Sequence, residues 1–266
     1  MKRLLMGMPT LIECQDIEQN VALCKELGLD FIEINMNLPQ FQLEQIKADY
    51  FRRLMVDYDI YFTLHLPEEL NIASFNPRVR EAYINTVIDS ISLSKEIGIP
   101  LLNMHMNTGV YFTLPDQKIY LFDKYINDYI NSISSFGDLV NRLIGNENIC
   151  VSIENTGIYN LTFIKTAITE LLKYDCFRLT WDIGHDYSSG NMDTDFILSN
   201  ISYIKHFHLH DAIGKSNHLP FGDGEMDLQS KIDIAKSNNC SCVIETKTID
   251  GLRKSVEAIR KGKYIF

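Results

Sequence analysis

The chain has 266 residues, 45% of them hydrophobic and 23% charged, with a formal net charge of −10. That length suits one large domain with a well-buried core, and a (β/α)8 barrel typically needs about 250 residues. The acidic balance shows no nucleic-acid footprint, although a locally basic groove on an acidic protein keeps that reading open, and no apolar run is long enough to span a membrane.

The first segment, MKRLLMGMPTLIE, is interrupted by Gly7, Pro9 and Glu13. Its apolar run is too short for a signal peptide and reads as a first strand. Strand-like runs follow at 29–34, 60–66, 100–106, 149–154, 178–182, 204–210 and 242–246, after the first at 3–8. Amphipathic runs at helical spacing lie between them. The clearest is 78–97, with Val79, Tyr83, Val87, Ile91 and Ile97 near one face, Asn76-Pro77 before it and Gly98 after it. The stretch 118–144 reads as one long helix or two consecutive ones. Six cysteines, Cys14, Cys24, Cys150, Cys176, Cys240 and Cys242, form no CxxC pair and read as free thiols of a cytoplasmic protein.

Eight strands, each followed by a helix, predict a single (β/α)8 TIM barrel over residues 1–266. A doubly wound open sheet is the competitor. No GxGxxG follows the first strand, which weakens its dinucleotide-binding form.

Six of the runs end on an acid or a histidine: YFTLH at His65, LLNMH at His105, VSIE at Glu154, LTWDIGH at Asp182 and His185, IKHFH at His208, and CVIE at Glu245. The active sites of such barrels lie at the C-terminal ends of the strands, so these side chains converge on one cup. Glu154, Asp182, His208 and Glu245 are the candidate ligands of a divalent ion: Mn2+, Zn2+, Mg2+ or Co2+. With no cation between them, three carboxylates that close would repel, and some would stay protonated. Each residue also has a bland reading. Asp182 alone is often a helix cap. In HFHLHD, alternation puts His206, His208 and His210 on one side of a strand, the outer two as supporting or surface groups. His65 and His105 are candidates for a second metal or for hydrogen bonds to substrate.

These residues, with LGLDFIEI, HLPEELNIA, NMHMNTG, IENTG, WDIGH, HLHD and HLPFGDGEMDL, resemble the xylose-isomerase-like barrel superfamily. It includes sugar isomerases and epimerases, dehydratases and endonuclease IV. The isomerase and epimerase resemblance implies one metal on the quartet. It also implies proton transfer by Glu154 and Glu245 through an enediolate of a small sugar-like hydroxy-carbonyl compound. His185 would orient a substrate oxygen, and Glu33 in FIEI would lie near substrate. A dehydratase would use the same parts. The endonuclease IV resemblance implies three zinc ions and abasic DNA, with His65, His105, His185 and His218 joining the quartet. Two departures weigh against it. Ser216 stands where a third-zinc aspartate is expected, and Glu68 and Glu69 follow His65 where an aromatic-leucine pair would enter the duplex. The FGDGEMD loop reads as a tight turn rather than an anion site. Homo-oligomerisation through exposed helices stays open.

Overall fold

The computed structural model describes residues 3–265. Eight parallel strands close into a barrel. In chain order these are β1 (Leu5–Pro9), β2 (Phe31–Asn35), β3 (Tyr61–His65), β4 (Leu101–His105), β5 (Cys150–Glu154), β6 (Phe177–Asp182), β7 (Ile204–Leu209) and β8 (Ser241–Ile244). The eight strand-like runs of the sequence correspond to these eight strands, with ends displaced by one or two residues.

Local chemistry sets the helix ends. Asn76 caps helix Pro77–Ile97 by accepting from the Arg78 amide. Gly98 ends it in the left-handed region at φ 92°, where a side chain is disfavoured. The run 118–144 resolves into a short strand, Lys118–Tyr120, then helices Leu121–Lys124 and Ile126–Ile144. Sequence periodicity missed two antiparallel ribbons on the loops after β4 and β7: Tyr111–Thr113 with Lys118–Tyr120, and Asp211–Ile213 with Ser216–Leu219. Their strands, of three or four residues each, are too short to show a period.

Residues two apart on a strand share a face. The outward set, including Ile32, Phe62, Leu102, Ile153, Trp181 and Phe207, is fully buried. Each such side chain contributes roughly 1.5–3 kcal/mol. The inward set differs from the branched apolar filling usual in these barrels. One layer below the C-terminal mouth stand Glu33, Thr63, Asn103, Ser152, Thr180 and His206, all buried. Most are hydrogen-bonded: Ser152 and Thr180 hydroxyls lie 2.6 Å apart, Thr63 donates to Glu33 at 3.2 Å, and the Asn103 amide donates to Glu154 above, leaving Asn103 Oδ1 without a partner.

One irregularity places the site. Between β6 and β7 the register runs Leu179 with Ile204 but Thr180 with His206, so Lys205 is an extra residue. The bulge brings His208 level with Asp182. Without it, Phe207 would face Asp182 and the imidazole would fall out of line.

Candidate metal centre

The expected quartet meets at the C-terminal end of the barrel. One ligand atom from each of Glu154, Asp182, His208 and Glu245 lies within 4.8 Å of the others, and all four residues are buried. His208 Nδ1 is the hub, 3.2 Å from Glu154 Oε1, 3.1 Å from Glu245 Oε2 and 3.8 Å from Asp182 Oδ2. His208 Nδ1 and Glu245 Oε2 are buried without a hydrogen-bond partner, as is His105 Nε2. Polar atoms that face one another at this depth without an aligned hydrogen bond are costly unless a cation satisfies them, so the residues fit a divalent ion.

A second trio adjoins the first. His65 Nε2 and His105 Nε2 lie 3.3 and 3.2 Å from the other Glu154 oxygen, Oε2. His65 Nδ1–H donates to the Leu66 carbonyl at 2.9 Å, which fixes the ring with Nε2 toward Glu154. Glu154 therefore presents one oxygen to each cluster.

Supporting groups fix these ligands. Asp182 has both roles raised for it: Oδ1 accepts from the His185 amide at 2.6 Å, capping helix Ile183–Ser188, while Oδ2 faces the cluster. Asn155 ties Asp182 to β5, accepting from its amide at 2.8 Å and donating to its carbonyl at 3.0 Å. His206 and His210 are fully buried, not surface groups. His210 Nε2–H donates to Asp182 at 3.0 Å, and its Nδ1 accepts from the His218 amide at 2.7 Å. Gly184 of WDIGH makes room for that ring, because a Cβ there would lie 1.9 Å from His210 Cε1.

Glu33 sits beneath the cup and is 1% exposed. Its Oε2 accepts from His206 Nε2–H at 3.1 Å, and its Oε1 lies 2.8 Å from His208 Nε2, off the line of an aligned hydrogen bond. Ser241 and His206 Nδ1 close the network at 2.6 Å. Lys247, which the sequence reading did not single out, pairs with Glu245 Oε1 at 2.8 Å, leaving Oε2 facing His208. It stands two residues beyond Glu245 in IETK, the one local signal for it.

The charge distribution differs from that expected of bare carboxylates. Burial pushes Glu154 and Glu245 up, but His208 with His105 holds Glu154, and His208 with Lys247 holds Glu245, well below the usual range. Burial pushes His65 down, and the Glu154 carboxylate outweighs it, holding the imidazolium at about 9. His208 is likewise held well up against its burial by Glu154, Glu33 and Glu245. Without a metal, these contacts keep their protons on His65 and His208 rather than on Glu154 and Glu245.

His185 is at the rim, with its side chain 32% exposed and Nε2 3.9 Å from Asp182 Oδ2. His218 stands beside it, ring centroids 5.1 Å apart, and donates from Nδ1 to the Glu245 carbonyl at 3.1 Å. Ser216 is exposed at the start of its ribbon strand. Asp211 takes the Gly222 and Met226 amides at 2.9 and 3.2 Å, so the FGDGEMD loop spends these donors internally. Beside the cup, a groove of about 270 Å³ is lined by Thr10, Asn35, Asn37, Glu68 and Lys247. A larger cavity, about 570 Å³, lies elsewhere, against residues from the N-terminal ends of the strands. The ligand geometry, rather than cavity size, locates the chemistry.

Residues 21–262 match a family profile described as xylose isomerase-like TIM barrel. The uncharacterized protein MJ1614 of Methanocaldococcus jannaschii is 24% identical over 213 residues, covering 78% of this chain and 80% of that protein. A D-tagatose 3-epimerase-like protein superposes with a TM-score of 0.77 at 22% identity, over 97% of this chain and 96% of its own. The IOLI protein, solved with a binding zinc atom, gives 0.73 at 14% identity, over 98% and 99%.

Proposed function

Because the chain belongs to the xylose isomerase-like TIM barrel family, we propose that it is a divalent-metal-dependent isomerase or epimerase of a small, sugar-like hydroxy-carbonyl compound. The observation that carries this is the buried quartet of Glu154, Asp182, His208 and Glu245, with His208 Nδ1 and Glu245 Oε2 unpartnered. These four residues would hold the ion, which when bound would supply Lewis-acid polarisation of a carbonyl and its neighbouring hydroxyl.

The chain's own groups do the rest. Glu154 and Glu245 approach His208 from β5 and β8, so a carbon between them is within reach of a carboxylate on each side. One removes the proton beside the carbonyl, and the same or the opposite carboxylate returns it. Lys247 pairs with Glu245 Oε1, the oxygen turned away from His208, and its positive charge helps keep that carboxylate ionised as a base. His185 at the rim orients a substrate oxygen. Thr10, Asn35 and Asn37 in the adjoining groove offer partners for hydroxyls. A dehydratase would use the same parts with a different leaving group.

Charge favours a neutral substrate. Glu33, Glu154, Asp182 and Glu245 bring four negative charges, and Lys247 brings one positive. One dication, with His65 still protonated, leaves no net charge, so the cup has no excess of positive charge for a phosphate. A second reading, zinc-dependent phosphodiester cleavage of the endonuclease IV type, is favoured by one observation, the His65–His105 pair on Glu154 Oε2. A second dication there would leave one positive charge. Exposed Glu68 and Glu69 on the loop after His65 weigh against a duplex.

Metal content per chain, with deuterium uptake from D2O into a panel of ketoses, separates the two. One ion and carbon-bound deuterium, lost in Glu154→Gln and Glu245→Gln, is the expected result. Two or three zinc ions with cleavage of an abasic duplex would overturn the isomerase reading.

A further inference from the structure

We propose that the N-terminal mouth of the barrel is a second ligand site, for a small hydroxylated anion bearing a carboxylate or a phosphate. Its main hollow is the 570 Å³ cavity, lined by Tyr61, Thr63, Cys150, Arg178, Lys205 and Ser241 among others. An adjoining hollow of about 350 Å³ shares Leu5 and Asn239 with it and adds Lys236. This end of the barrel is ordinarily a stability face.

Three observations point to an anion. First, Arg178, Lys205 and Lys236 make no ion pair among the described residues, whereas Arg3 at the same end is paired with Asp30. Arg178 spends one donor on the Phe177 carbonyl at 2.7 Å, which anchors the guanidinium and leaves its other donors for a ligand. Second, Lys205 is the extra residue of the β6–β7 bulge, a device that re-aims a side chain, and it is exposed between buried Ile204 and His206. Third, part of the wall is hydroxylic. Ser241 is hydrogen-bonded to His206 at 2.6 Å and Thr63 to Glu33 at 3.2 Å, so the floor of this cavity is the underside of the network that supports His208. Glu147 and Asp175 also line the cavity. Three unpaired cations against two acids leave a net charge of +1 across the two hollows, the sign that attracts an anion. Hydroxyls and side-chain amides, Asn148 and Asn239 included, suit a polyhydroxylated body.

The site is distinct from the metal centre and does not depend on the proposed isomerase reading. The test titrates inorganic phosphate, gluconate and, as an uncharged control, sorbitol into the full chain as purified with its ion. It follows the backbone amide resonances of Tyr61, Lys205, Asn239 and Ser241. Saturable shifts at these amides with phosphate or gluconate, but not with sorbitol, are expected. Binding should weaken about tenfold in Arg178→Gln and in Lys205→Gln. Response to gluconate alone identifies a carboxylate ligand, and response to phosphate alone a phosphate ester. No saturable shift with either anion, an equal response to sorbitol, shifts confined to the amides of His65 and Glu245, or affinity unchanged in both variants would overturn the proposal.

Discussion

Stripping the metal should leave a protein whose stability falls as pH rises through the neutral range. The contact responsible is His65 with Glu154, where the imidazolium is held at about 9 against an ordinary 6.5. A histidine whose folded pKa is raised contributes stability that is fully present below its unfolded pKa and lost as pH climbs through the folded one. The rise from 6.5 to about 9 corresponds to about 3 kcal/mol. The depression of Glu154 describes the same contact and is counted once. His208 is also raised against its burial, by Glu154 foremost, so it adds with the same sign. His206 and His218 are lowered by burial, His218 to about 4, so they remove stability only as pH falls below 6.5. Chelator-treated protein should therefore be most stable near pH 6.5 and lose at least about 3 kcal/mol by about pH 9. Adding Mn2+ should reverse that slope, because ligation needs the imidazoles deprotonated. The assay is the urea midpoint across pH, with and without Mn2+, for wild type and His65→Asn. A metal-free midpoint that stays flat or rises between pH 6.5 and about 9 would refute the reasoning, as would an unchanged slope in His65→Asn.

Three further outcomes are expected. Gly184→Ala drives a Cβ to 1.9 Å from His210 Cε1, which should cost about 1–3 kcal/mol and loosen ion retention; wild-type melting and metal content would count against the packing argument. Asn155→Ala removes both bonds from the Asn155 side chain to the Asp182 backbone and one to Asp193, so Tm should drop by an amount equivalent to about 1–3 kcal/mol; an unshifted Tm would show that water replaces the side chain. Ser216→Asp should add one zinc per chain beside His185 and His218, checked by elemental analysis; unchanged content would mean that the spacing of those two rings, 5.1 Å between centroids, does not make a site.

Much of this protein is legible in one dimension. Short β-branched and aromatic runs alternating with helical periods give the barrel, since strand and helix periods are local properties of the chain. Acids and histidines at strand ends give the cup, because parallel strands in a closed barrel deliver their C-terminal residues to one place. Other features depend on which strands lie side by side and at what level. The bulge at Lys205 that levels His208 with Asp182 is a property of the β6–β7 pairing. HFHLHD shows three inward histidines, and the sequence singles out His208 as the ligand, yet only the packing assigns His206 to Glu33 and His210 to Asp182. Lys247 has only its place in IETK as a local signal, and the cations at the opposite mouth have none, since a lysine near a strand end is ordinarily a solvated charge. Hydrophobic periodicity specifies which face of each element is buried. Register and the cross-strand pairing of polar groups arise from contacts far apart in the chain, and those were decided only by the closed barrel.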